Sequence, residues 1–321
     1  LVGRRIFREA DTQAMKQRLE NEFWTGLLFT APWLLGFLLL VLYPMAHSIY
    51  LSFCLYDGLT TPIFVGLENF RELFHDDRFW KSLWNTLYIT LLGVPIGILC
   101  SLALAFLVNQ PRRGIGIYRT LIYLPCLTPA VALSVLWMWL FNPESGLINH
   151  GLTCLGAGLT WASGGLIHLQ RINWLNDPAW AKPALIVMGL WGAGGTMLIF
   201  LAALQDVPRG LYESIELDGA GWWTKHRHVT LPLISPVILY NVIVGLIGGF
   251  QYFTQSYVIS NGTGGPQDST LFYALYLFNN AFPYWKMGYA SAMSWVLFML
   301  TAGLSFIVFR LSARRIYFQG E

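Results

Sequence analysis

Residues 205–236 read QDVPRGLYESIELDGAGWWTKHRHVTLPLISP. This polar segment lies between two apolar runs, residues 184–204 and 233–253, neither of which holds an Asp, Glu, Lys or Arg. The segment itself has the pattern helix, turn, helix. Pro208 fits the first turn of a helix, where no amide donor is needed, and Leu211, Tyr212, Ile215 and Glu216 follow at helical spacing. Asp218-Gly219 breaks the pattern: Gly219 supplies backbone angles closed to other residues, and the Asp218 carboxylate is expected to cap the next turn by accepting from free amides. Trp222, Trp223, His226 and Val229 then form one face of a second short helix, which Leu231-Pro232 is expected to stop.

Both flanking runs are long enough to cross a bilayer, which takes about 20 apolar residues. Four more runs qualify, at residues 26–53, 83–108, 120–141 and 289–309, and within all six the single ionisable residue of the His/Asp/Glu/Lys/Arg set is His47. The whole 321-residue chain is 55% hydrophobic and only 12% charged, against about 25% charged for a soluble domain. Lipid must therefore cover much of its surface. The same numbers exclude a disordered, collagenous or disulfide-dense secreted chain. A net charge of +3, spread over short clusters, offers no nucleic-acid footprint.

The expected fold is all-α: a polytopic membrane protein with six transmembrane helices. Of the 20 Lys and Arg residues, 14 fall in the N-terminal segment, the second and fourth connections and the C-terminus. The other six are Arg71, Arg78, Lys81, Arg171, Lys182 and Lys286. Positive charge accumulates on the cytoplasmic side, so both termini are expected there. The divisions are then a cytoplasmic segment at 1–25, a six-helix domain at 26–310 and a cytoplasmic tail at 311–321. Within the domain lie a cytoplasmic loop at 205–232 and a long outer loop at 142–183. The first span follows about 25 mostly polar residues, which marks it as a retained anchor rather than a cleaved leader. The segment before it reads as an amphipathic surface helix, and Tyr317-Phe318-Gln319-Gly320 reads either as a protease-tag scar or as native sequence continuous with the basic stretch before it.

Spans so poor in ionisable groups argue against an ion-coupled carrier and against an intramembrane enzyme, which needs an acid, base, nucleophile or metal cluster. No catalytic residue is assigned. A phosphate-binding loop needs Gly directly before its Lys, and Lys16, Lys81, Lys182, Lys225 and Lys286 all lack one. No metal site is expected either: His226 and His228 have no nearby carboxylate or Cys, and the four cysteines lack ligand spacing. Cys100 and Cys126 read as small hydrophobes inside spans. Cys54 and Cys154 fall on the outer side, where oxidation is possible and a disulfide between them is conceivable, though unpaired thiols are the expectation.

The order of residues in the 205–232 loop resembles the cytoplasmic signature of permease subunits in binding-protein-dependent ABC importers. Glu213 stands at its Glu position, Asp218, Gly219 and Ala220 fill its central triplet, Gly221 follows, and Leu231-Pro232 closes it. Ser214 and Ile215 replace two small residues, and His226 stands where Phe is usual. The resemblance extends outward. Ala31-Pro32-Trp33 through Ser52-Phe53, Gly264-Gly265-Pro266 with Ser269-Thr270-Leu271, and Lys286-Met287-Gly288-Tyr289-Ala290-Ser291-Ala292 look like the carbohydrate-uptake type, the first of a permease pair for a sugar or sugar-phosphate.

That resemblance implies a non-catalytic subunit forming half of the translocation path in a bacterial or archaeal cytoplasmic membrane. Its implied partners are a second permease, an ATPase dimer that holds ATP and Mg, an external solute-binding protein and the lipid bilayer. The chain itself would bind no cofactor. The loop would lie on the ATPase, with Trp222, Trp223 and Ile215 as apolar anchors and Glu213 paired to a basic group. Replacing Gly219 by Asp or Leu is expected to abolish transport while leaving the chain in the membrane. The path is expected to be uncharged and suited to neutral sugars, with Trp191, Asn241, Gln251, Tyr252, Gln255 and Ser256 as candidates to line it. For the polar ones the plain alternative is a helix-to-helix hydrogen bond; for Trp191 it is the interfacial aromatic belt. The 142–183 loop, with Trp161, Trp174 and Trp180, reads as a docking surface for the binding protein or as a cap packed over the helices. Import of another solute by the same architecture, or a stand-alone channel or membrane enzyme, are the alternative functions.

Overall fold

A computed structural model describes residues 22–162 and 171–313. The expected N-terminal surface helix, the 314–321 tail and the side chain of Trp161 lie outside the described residues.

The described chain is helical apart from one short ladder. Helix α1 spans Glu22–Ser52, and the strands β1, Cys54–Leu55, and β2, Ile63–Phe64, pair antiparallel with Cys54 opposite Phe64. Helix α2 is Glu68–His75 and α3 is Asp77–Val108. The pair α4, Ile115–Leu127, and α5, Ala130–Leu140, bends by 100°. Helix α6 is Leu147–Ala162. A second pair, α7, Pro178–Leu190, and α8, Ala193–Gln205, bends by 48°. Helix α9 is Arg209–Leu217. Helix α10 starts at Trp222–Lys225, widens to a π turn over His226–Thr230 and ends at Leu231–Leu233. Then come α11, Ser235–Phe250, α12, Thr254–Ser260, α13, Tyr273–Ala281, and α14, Met287–Ala313.

The expectation of an all-helical membrane protein holds. Four helices are long and apolar enough to cross a membrane, or six spans exist if each bent pair counts as one. The bends have local causes. At the first, Thr128 is extended (ψ 128°) directly before Pro129, the N-cap of α5; the proline ring disfavours helical angles at the residue ahead of it. At the second, Trp191-Gly192 interrupts the ladder between α7 and α8. The runs at 120–141 and 184–204 are therefore each broken into two helices.

Both π turns precede a proline by the same spacing. Tyr43 donates to the Leu38 carbonyl just before Pro44, and Leu231 donates to the His226 carbonyl just before Pro232. A proline ring clashes with the carbonyl four residues back, here Leu40 or His228, and widening the turn moves that carbonyl away. Pro232 thus sits inside α10 rather than stopping it; the break comes two residues later, at Ile234.

Helix α3 is the hub, packed against α8, α11, α7 and α13. Its contact with α11 is close because glycines face it. A Cβ on Gly245 would stand 2.8 Å from Val94 Cγ1, and one on Gly249 2.6 Å from Thr90 Oγ1. Small residues four apart let membrane helices approach this way. Leu102, Ala105, Met197, Phe200 and Leu204 fill the core between α3 and α8 near the 205–232 loop. Helix α1 touches the bundle mainly through Tyr43–Ser52, which packs on α14; its most apolar window is unburied.

Candidate coupling loop and translocation path

The 205–232 loop is a rigid bracket. Pro208 is the N-cap of α9. At the other end Gly219 takes φ +76°, its amide donates to the Glu216 carbonyl (3.0 Å), and the Ala220 amide donates to the Ile215 carbonyl (3.1 Å). These two crossed bonds form a Schellman cap, whose left-handed position favours glycine. The expected side-chain cap from Asp218 is not what ends the turn: Asp218 is the C-cap of α9, and Gly221, with no side-chain bond, is the N-cap of α10. Backbone bonds do the work assigned to the carboxylate.

Side chains then fix the angle between α9 and α10. Thr230, fully buried, is hydrogen-bonded to Tyr212 Oη (2.8 Å) and to His226 Nδ1 (2.9 Å). Lys225 pairs with Glu216 across the turn. The His226 ring stands edge-on to Trp222 (4.5 Å) and to Phe106 on α3 (4.7 Å), so it fills an aromatic slot and links the loop to the hub helix. Burial, then the neighbouring Lys225 charge, push the His226 imidazole below its ordinary value. His228 Nδ1 bonds to the Thr224 carbonyl (3.1 Å).

The exposed side chains include large apolar ones beside the polar residues. Leu217 is 90% accessible, Trp222 65% and Trp223 66%, an anchor set for a partner surface. Leu217 was not among the sequence candidates, and Ile215, which was, is half-buried. Glu213 is exposed and makes no bond or ion pair within the described residues.

The path candidates divide. Asn241 is buried and donates to the Val237 carbonyl of its own helix (2.8 Å). Ser256 is fully buried and donates to the Thr270 carbonyl. Both have structural bonds. Trp191 lies edge-on to Trp137 (5.4 Å) at the bend between α7 and α8. Gln251 is the exposed C-cap of α11, and Gln255 is half-buried on α12. Tyr252 lines a cavity of about 200 Å³ between α3, α7 and α11, whose other walls include Gly93, Gly97, Gly189 and Gly248. Its hydroxyl is buried without a hydrogen-bond partner, as is that of Thr90. Of the glycines in residues 184–204, Gly189 opens this cavity, whereas Gly194 serves close packing: a Cβ there would strike the Ile122 carbonyl.

The end of the bundle assigned by charge to the outside is tied together by α3. Arg78 pairs with Asp268 (2.9 Å), Lys81 donates to the Gln267 carbonyl (2.7 Å), and Asn85 donates to the Asp268 and Leu271 carbonyls (2.7 and 3.1 Å). These bonds pin the Gly264–Leu271 motif. Asp76 accepts from Tyr276 and Tyr289. Burial pushes its carboxyl up, but those hydroxyls and the Arg78 amide outweigh burial and hold it below the usual range. In the 142–183 loop, Asn149 bonds the Ile172 backbone twice and Trp174 Nε1 once (3.1 Å). Trp174 packs on Phe141 and Trp180 (5.4 and 5.3 Å). Cys54 and Cys154 are both free thiols.

Residues 93–317 match the family described as binding-protein-dependent transport system inner membrane component. The chain belongs to that family. It is 37% identical over 314 residues, 97% of this chain and 98% of the relative, to the probable ABC transporter permease protein YesP of Bacillus subtilis (strain 168). It is 37% identical over 294 residues, 90% of this chain and 94% of the relative, to the lactose transport system permease protein LacF of Rhizobium radiobacter. In fold it resembles a chain of a bacterial alginate ABC transporter crystallised with an alginate-bound periplasmic protein (TM-score 0.77, 22% identity, 92% of this chain and 96% of that one). The chain is accordingly a non-catalytic, multi-pass transport permease.

Besides Leu217, two features of this permease escaped the sequence reading. Thr230, the buried link between Tyr212 and His226, carried no signal beyond a polar residue beside Leu-Pro. Lys182 was placed in the outer loop. Instead it lies in α7 and donates to Asn85 Oδ1 on α3 (3.0 Å).

Proposed function

We propose that this permease forms half of the translocation path of an ATP-driven saccharide importer in a bacterial cytoplasmic membrane, with six spans and both termini inside. The α9–α10 bracket docks in a cleft of an ATPase subunit, which binds the ATP and Mg. A second permease completes the path, and an external solute-binding protein docks over the 142–183 region. The names of the relatives support a sugar as cargo. The observation that carries the coupling role is the bracket itself, a locked pair of helices presenting Leu217, Trp222 and Trp223 to solvent. A rigid, apolar-tipped element transmits a displacement that a loose loop would absorb, and its Phe106–His226 contact passes that displacement to α3. At the path, the unpaired Tyr252 hydroxyl suits a sugar hydroxyl, with Trp191, Gln251 and Gln255 as further candidates.

Cross-linking tests the docking. With Leu217→Cys as the sole cysteine, a short bifunctional reagent should join this chain to the ATPase subunit in native membranes, with a yield that changes on adding ATP. Absence of that product, with the cysteine freely labelled by a small reagent in the assembled complex, contradicts the assignment.

A further inference from the structure

Lys182 has an environment that nothing in the coupling account uses. Its ammonium donates to Asn85 Oδ1 (3.0 Å) and lies 4.9 Å from the Tyr88 ring centroid. The ion pairs among the described residues are Arg78–Asp268, Lys225–Glu216 and Lys286–Glu72, so no carboxylate answers it. The charged group acting on it is another cation, Lys81, whose own bond is to the Gln267 carbonyl. The Asp268 carboxylate, whose backbone carbonyl bonds Asn85, is already held by Arg78. An ammonium offers three donors; Asn85 uses one.

Its place on the helices matters as much as its charge. On α7, Lys182, Ile186 and Gly189 follow at spacings of four and three, and on α3, Asn85, Ile89, Gly93 and Gly97 follow at fours. Such spacings put each set on one face. Ile186, Gly189, Ile89, Gly93 and Gly97 all line the cavity that holds Tyr252. Lys182 and Asn85 therefore stand on the same stripes one turn nearer the outside, about 6 Å along each axis. An ionisable residue at such a place marks a pathway by default, since leaving it unpaired in an apolar bundle is costly.

We propose that Lys182, with Lys81 beside it, receives the acidic group of an anionic saccharide (a carboxylate, phosphate or sulfonate) as it enters the path from outside. The proposal rests on the saccharide-importer reading and narrows it. Asn85 holds the ammonium in place through its carbonyl while its amide is committed to the Asp268 and Leu271 carbonyls. The anion supplies the missing counter-charge at the mouth, and its sugar ring then meets the cavity below, which Tyr252 lines.

The test uses the complete complex in proteoliposomes with its binding protein. Uptake is compared for matched probes: digalacturonate against galactobiose, glucose 6-phosphate against glucose, and glucose 6-sulfonate against glucose. The charged member of at least one pair should be imported in preference to the neutral one. Lys182→Gln, which keeps a donor to Asn85, should lower kcat/KM for that probe about tenfold or more, mainly through KM, and Lys182→Arg should restore most of it. If Lys182→Gln fails to assemble, Lys81→Gln is measured for the same selective loss. Import of neutral probes with rejection of their charged twins overturns the proposal and leaves the importer reading intact. An equal loss for charged and neutral probes, with weaker retention of the second permease or binding protein, also overturns it, because the counter-charge then belongs to a partner. Uptake of no saccharide overturns the importer reading along with it.

Discussion

Replacing Gly219 isolates backbone geometry from packing. Its φ is +76°, and a Cβ there would meet nothing within 4 Å. Size alone is therefore harmless, and the whole effect comes from forcing an L-residue into the left-handed region, at about 1–2 kcal/mol. If the two cap bonds, Gly219 to Glu216 and Ala220 to Ile215, yield to relieve that strain, the bracket populates other angles about 5- to 30-fold more often. Gly219→Leu and Gly219→Val should then lose coupled transport by at least about that factor while the chain reaches the membrane in normal amount, with Val worst because β-branching resists positive φ. Gly219→Asn and Gly219→Asp, which tolerate the region better, should lose less. The structure thus separates Asp from Leu, which the sequence treated alike. The assay is uptake normalised to membrane-inserted protein, with ATPase hydrolysis measured alongside. Val transporting like wild type, or Asn failing as badly as Val, would refute the backbone argument.

Trp222→Ala should weaken retention of the ATPase by about 2 kcal/mol, roughly 30-fold in affinity, if it is an interface anchor; an unchanged co-purification ratio under dilution counts against this. Gly194→Leu should eliminate the protein from membranes through collision with the Ile122 carbonyl, whereas Gly189→Ala, with open space around it, should accumulate normally; quantitative blotting separates the two. His226 has a folded value depressed below the usual imidazole value of about 6.5, so its contribution is complete above that value and lost as pH falls through the folded one. Bracket stability should therefore decline on acidification, and His226→Phe should flatten that limb in thermal unfolding between pH 5 and pH 7.5. Asn149→Ala leaves Trp174 Nε1 and the Ile172 amide without their partner, a cost of about 1–3 kcal/mol; proteolytic nicking near residue 172 should rise while the spans stay intact.

Apolar run length carried most of the fold, because a bilayer imposes a length and a composition that a linear reading detects. Bends were harder. Pro125 and Pro129 were present in the third run, yet a 100° turn depends on whether neighbouring helices satisfy the freed carbonyls, which no local pattern states. The Gly219 turn was legible because positive φ has a chemical signature; its capping partner was misassigned because a Schellman cap uses backbone groups, common to all residues. Lys182 was hidden for a different reason. Proximity to Asn85, 97 positions away, is made only when α7 docks on α3. Ser256 likewise donates to the carbonyl of Thr270, outside its own helix, whereas Asn241 turns back to the Val237 carbonyl within its helix.

Under the proposed function, this permease moves solute only as the membrane-embedded part of a larger ATP-driven machine. The direct test isolates the tagged chain from gently solubilised membranes and assays the eluate for ATP hydrolysis with and without a sugar-loaded binding protein. The account predicts an ATPase and a second permease in the eluate and hydrolysis that rises when the loaded binding protein is added. A chain that elutes alone, and passes solute across liposomes without nucleotide, would contradict it.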